Sequence, residues 1–240
     1  MTACPFLLIV ASVFSQQPEL PSFVKQHSRT VMYYYRSPDP TLGPKLLKEF
    51  LKPENVSHPW FNGKEHVLLL NGALFGDMVA GKPKLVREFE AAFADTSVNG
   101  RRVVIRALFH CGDKDTIPHV AAWLKDEKNA ALRDELTALQ KHLEDPKRKN
   151  VRDRAAREPR DLDFLWANFF ITGEYAPISR ILDVFDQPAK GNEVMQRVAR
   201  WSLDSNMQEH PKLVELLKNH LKDRPEASRK VVESMLNPAP

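Results

Sequence analysis

The sequence predicts an all-α protein: a stack of helical pairs, α-solenoid-like in the manner of TPR or HEAT repeats, in two halves joined by a basic linker. Three observations predict it. From residue 40 onward apolar residues recur at three- and four-residue spacings, and strict alternation is nowhere sustained. Only 9 of the 240 residues are Gly while 18 are Pro, which leaves little for hairpins or phosphate-cradling loops and much for helix starts and connections. Finally, apolar helical runs close at Gly81, Gly112 and Gly173, spaced 31 and 61 residues apart, and a large apolar residue follows each after twelve positions: Phe93, Leu124 and Phe185. The rest of the composition, 42% apolar and 28% charged, excludes wholesale disorder and a multi-span membrane protein.

The chain opens with MTACPFLLIVASVFS, whose nine-residue apolar run from Phe6 to Phe14, interrupted only by Ser12, is too short to span a bilayer and gives way abruptly to QQPELP. Residues 1–15 therefore read as a signal peptide cut between Ser15 and Gln16, which would export the mature chain to the periplasm or beyond. No Lys or Arg precedes the apolar run, so a short first helix burying Phe6, Leu7, Ile9 and Val10 stays open, with a cytoplasmic protein as its consequence. Cleavage would remove Cys4 and leave Cys111, in the apolar stretch from Val103, as a small buried hydrophobe.

Residues 16–146 form the N-terminal half. Leu46, Leu47, Phe50 and Leu51 make one helical stripe, and Leu85, Val86, Phe89 and Phe93 another. Val120, Trp123 and Leu124 follow, then Leu132, Leu136, Leu139 and Leu143. Between the first two lies VLLLNGALFGDMV, Val67 to Val79, where Asn-Gly between apolar runs signals a hairpin. Helix is preferred, because Leu is a poor strand former and Val67, Leu70, Leu74 and Met78 keep a helical stripe. Gly72 and Gly76, four apart, then mark where another helix approaches closely.

Residues 147–160, KRKNVRDRAAREPR, carry seven basic and two acidic side chains, so the calculated pI of about 9.0 is a local property. Repeat spacing would place a weak helix here, with Val151 and Ala155 as its apolar face; a solvated linker requires less. The C-terminal half, 161–240, resumes the stripes. They run through Leu162, Leu165, Trp166, Phe169 and Phe170; then Ile178, Ile181, Leu182 and Phe185. Val194, Val198, Trp201 and Leu203 are next, before Leu213, Leu216, Leu217 and Leu221. Asp161 or Asp163 is placed to cap the helix that carries Trp166.

Chemistry is poorly signalled. No His pair stands at metal-binding helical spacing, no G-x-S-x-G elbow or Walker pattern occurs, and the single internal Cys lacks flanks of a nucleophile. Carboxylate pairs such as Asp183 and Asp186 carry no weight without a cleft to desolvate them. The expectation is thus no catalytic residue, no cofactor and no metal.

Two surfaces are candidates for a partner. Tyr33, Tyr34 and Tyr35 with Trp60 form an aromatic group that successive 100° turns of a helix cannot bury whole; it is either a cap on the first repeat or an interface anchor. Lys147, Arg148, Lys149 and Arg152 are placed to hold anionic lipid or an envelope polymer, whereas nucleic acid is not expected on a segment without aromatic residues.

The stretches YYYRSPDPTLGPKLLKEFL, DLDFLWANFFITGEYAPISRIL and ARWSLDSNMQEHPKLVELL carry three motifs: Y-x-x-x-PDP, LW-x-x-FF-x-TG and WSL-x-x-N-x-x-x-HP. With these, the chain resembles an uncharacterised family of bacterial, commonly exported, all-helical proteins over most of residues 33–221. The resemblance implies an all-helical fold and a bacterial source, and brings no assigned activity with it. Its last motif places Trp201, Asn206 and His210 close in sequence, and these would line a polar pocket if the chain were an envelope enzyme. The preferred expectation is a non-enzymatic interaction or scaffolding module with a protein partner. The enzyme and the binder of anionic polymer are the alternatives.

Overall fold

A computed structural model describes residues 19–149, 153–188 and 190–237, and among them every regular element is helical. The expected signal peptide at 1–15, together with Val151 and Arg152 of the linker, lies outside the described residues. No helix of the described residues is long and apolar enough to cross a membrane.

The chain divides into two compact units, Gln16–Val151 with Phe170–Thr172, and Arg152–Phe169 with Gly173–Pro240. The first contains α1 (Ser22–Met32), α2 (Leu42–Phe50), α3 (Pro53–Val56), α4 (Glu65–Val79), α5 (Pro83–Ala94), α6 (Val98–Cys111), α7 (Ile117–Lys125) and α8 (Arg133–Glu144). Single 3₁₀ turns join several of them, and Pro stands in the first turn of α3, α5 and α7, where its missing N–H costs nothing. Phe23, Phe50, Phe61 and Phe75 form an aromatic cluster with edge-on rings, the centroids of Phe23 and Phe50 being 5.1 Å apart.

The stretch Val67 to Val79 is helix, as its Leu content requires. α4 is the central helix of this unit and is buried nearly all round: Leu68, Leu70, Gly72 through Gly76, Met78 and Val79 are all shielded. Its close partner is α6. A Cβ on Gly72 would stand 2.4 Å from the carbonyl oxygen of Val103, and one on Gly76 would stand 2.2 Å from that of Ala107. Both contacts pair residues 31 apart and rise together along the chain, so α4 and α6 run parallel. Across the same seam the buried side chains of Asp77 and His110 lie 3.1 Å apart, and Arg102 of α6 bonds Glu65 of α4 and Glu135 of α8.

Gly112 and Gly173 end α6 and α9 in the left-handed region, with φ of 62° and 63°, and each donates its N–H to a carbonyl four residues back. That is what the expected helix-closing glycines demand.

The second unit is built from α9 (Pro159–Thr172) up to Phe169, α10 (Tyr175–Leu182), α11 (Glu193–Glu209), α12 (Pro211–His220) and α13 (Glu226–Leu236). Asp161 stabilises the start of α9, as its position suggested, but it does so from the third helical position. Its carboxylate accepts from the Glu158 N–H at 3.0 Å while the Glu158 side chain accepts in return, a capping box. The described residues 147–149 and 153–158 are not α-helical, and α9 takes in the last two residues of the basic segment, Pro159 and Arg160.

One stripe differs from expectation. α11 buries Met195, Ala199, Ser202, Leu203 and Asn206, whereas Val194 and Trp201 are exposed at 57% and 44%. Periodicity alone cannot choose between two adjacent stripes with the same 3.6-residue repeat. The structure turns inward the one containing the small residues Ala199 and Ser202.

Candidate functional site

The aromatic group at residues 33–35 does not present a common surface. α1 ends at Met32, and the chain then enters a 3₁₀ turn, Tyr34–Arg36, which turns Tyr34 inward to 5% exposure. Burial pushes its phenol up to about 12, and the charge of Asp39 adds to the effect. Tyr33 and Tyr35 are half-buried, and the Arg36 guanidinium lies 4.3 Å from the centre of the Tyr33 ring. Trp60 is also a core residue, 5% exposed, with the Lys64 ammonium 4.1 Å from its ring centre. Tyr34 and Trp60 are thus core residues of the first unit, not anchors for a partner, because both rings are already spent on packing.

Within the basic segment, Arg148 is not free for an anionic partner. Arg148 folds back on its own unit: its guanidinium donates to the carbonyl oxygen of Gly112 and, at 3.2 Å, to that of Leu143. It therefore caps the carbonyl ends of α6 and α8, where a cation complements the helix dipole. Lys147 and Lys149 remain exposed.

Trp201, Asn206 and His210 are not brought together. Trp201 is on the outer face of α11, while Asn206 and His210 are 3% and 0% exposed. Five residues separate Trp201 from Asn206, a rotation of about 140° on a helix. The Asn206 amide donates to the Ser202 carbonyl at 2.8 Å, and the His210 ring stands edge-on to Phe169, with centroids 5.9 Å apart. A pocket shared by these three residues is excluded by that arrangement.

Other titratable groups have structural uses. Asp183 and Asp186, unpromising as a carboxylate pair, converge on the buried guanidinium of Arg224 at 2.9 and 2.5 Å. The Cys111 thiol donates to the Gly76 carbonyl oxygen at 3.5 Å; burial, with the charge of Asp77 behind it, pushes the thiol well above its usual range. In the first unit a cleft of about 340 Å³ is lined by Ser57, His58, Asn62, Glu65, Asn99 and Arg102, yet Arg102 there is already neutralised by Glu65 and Glu135.

Asp163 of α9 is partly buried, and desolvation pushes its carboxyl up to about 7. Its folded form holds the proton more tightly than the unfolded chain, whose carboxyl titrates near 3.8, so stability falls as pH rises through that interval. Asp163→Asn removes the buried charge. Its melting temperature is expected to exceed wild type at pH 8, with the gain shrinking below pH 7 and gone below about pH 4. Equal melting temperatures at pH 8 would show that the carboxylate is well solvated.

The outer face of α11 leaves Val194 and Trp201 exposed, seven residues apart among Arg197, Arg200 and Asp204. Seven residues are two helical turns, so the two apolar side chains share one stripe. Sequence reasoning placed Trp201 inside and missed this surface. The all-helical content agrees with the fold implied by the sequence resemblance, while comparison with family models, curated proteins and solved structures yields no match.

Proposed function

We propose that this chain is a non-enzymatic interaction module of the helical-repeat kind, exported to the bacterial envelope, that recognises a protein partner through α11. The observation that carries the reading is Trp201, 44% exposed in the middle of a 17-residue helix. Trp is the side chain most enriched in interface hot spots, and an exposed apolar stripe costs solvation unless something covers it. The repeat reading is supported by the parallel α4–α6 contact at a register of 31 residues, which equals the spacing of Gly81 and Gly112. Helices one repeat apart in a solenoid stack in parallel in just this way.

The test is affinity capture with the full chain, comparing wild type with Trp201→Ala after both show the same helical circular dichroism. Proteins retained by wild type are expected to be lost from the variant by tenfold or more, corresponding to about 1.4 kcal/mol or above. Identical retention by the two chains would remove Trp201 from any interface. An activity surviving Trp201→Ala would favour the enzyme alternative.

A further inference from the structure

We infer that the occupant of the α11 face is a second copy of this chain, the two helices packing antiparallel about a two-fold axis at Trp201. This deepens the interface reading above and rests on it. Trp201 is the ninth of the seventeen residues of α11 and therefore sits at its midpoint. The charges around it are asymmetric in a way that a two-fold axis satisfies. Glu193 is held within the chain, accepting from the Gly191 N–H at 3.1 Å, and Arg200 donates to the Ser234 hydroxyl at 3.2 Å. The side chains of Arg197 and Asp204, both exposed, make no hydrogen bond or ion pair among the described residues.

Arg197 lies one turn before Trp201 and Asp204 one turn after it. Antiparallel pairing sets Arg197 of each copy against Asp204 of the other, giving two symmetric ion pairs that flank the stacked tryptophans. Parallel pairing would oppose Arg197 to Arg197 and Asp204 to Asp204. The charge pattern thus selects both the partner and its direction. Val194, two turns from the axis, lies over the aliphatic stem of Gln208 of the other copy. One helix about 25 Å long per copy is a small contact, at or below the ~1,200 Å² where stable interfaces begin, so the dimer is weak and depends on concentration.

Sedimentation velocity of the full chain over a wide concentration range tests this. Wild type is expected to shift from monomer toward dimer as concentration rises, and Trp201→Ala is expected to stay monomeric throughout. Arg197→Asp and Asp204→Arg, each alone, should weaken association roughly tenfold by turning both symmetric pairs repulsive, and the double reversal should restore it. Both are surface changes, so the rescue remains readable if Trp201→Ala folds poorly. A wild type that is monomeric at every concentration overturns the second copy as occupant, as does a double reversal no stronger than the singles. A foreign protein captured by wild type and lost with Trp201→Ala would then leave the interface reading standing alone.

Discussion

Gly76→Ala is expected to destabilise the first unit by about 3 kcal/mol, although Ala is the better helix former. The added methyl would stand 2.2 Å from the Ala107 carbonyl oxygen and 2.9 Å from the His110 Cβ. These atoms belong to a packed helix, so no single side chain can swing aside. α4 and α6 must separate by roughly 1 Å to restore contact distance, and this loosens Asp77–His110 together with every apolar contact along the seam. Helix propensity returns at most about 1 kcal/mol, so the steric loss wins. Gly81→Ala is the control. Nothing lies within 4 Å of its added Cβ, and only its φ of 75° opposes the change, at about 1–2 kcal/mol. Urea denaturation separates them. A Gly76→Ala chain as stable as wild type would mean that α4 and α6 are not in contact at this point.

The same contact shows what sequence could reveal. Gly72 and Gly76 at a spacing of four, inside an otherwise bulky apolar run, have few reasons to exist other than close helix approach. Their place was legible from the chain alone, and so were the glycines that end α6 and α9. Selection between neighbouring stripes was not legible. On α11, Val194, Val198 and Trp201 are as periodic as Met195, Ala199 and Ser202, and only the shape of the surface underneath decides which set turns inward. Long-range polar pairing was equally invisible. Arg148 reaches Gly112 across 36 residues, and no local spacing distinguishes it from Lys147 or Lys149 beside it. Tyr34 illustrates the intermediate case. A run of three Tyr predicted that at least one is exposed or covers an adjoining element, yet the change from α-helix to 3₁₀ turn after Met32 decided which one is buried.

Arg224→Ala should be the most damaging single change in the second unit, lowering stability by about 3–5 kcal/mol. The Arg224 side chain is 8% exposed and lies just before α13. Its guanidinium donates to Asp183 at 2.9 Å, Asp186 at 2.5 Å, the Ser179 hydroxyl at 3.0 Å and the Ser228 hydroxyl at 3.2 Å. Asp186 also accepts the Ser228 N–H at 3.0 Å, so one cation ties the end of α10 to the first turn of α13. Removing it leaves Asp186 with the Ser228 N–H alone and Asp183 with the half-exposed Arg180, and the repulsion between two carboxylates that have lost their shared buried cation, more than the lost bonds, sets the size of the effect. Arg224→Lys keeps the charge but cannot supply donors in four fixed directions, so it is expected to recover less than half of the loss. Arg180→Ala removes an Asp183 partner that is 41% exposed, and should cost no more than about 0.5 kcal/mol. Chemical denaturation of the three variants orders them. If Arg224→Ala lay within 1 kcal/mol of Arg180→Ala, water would already be screening the two carboxylates, and α13 would be held by its apolar face alone.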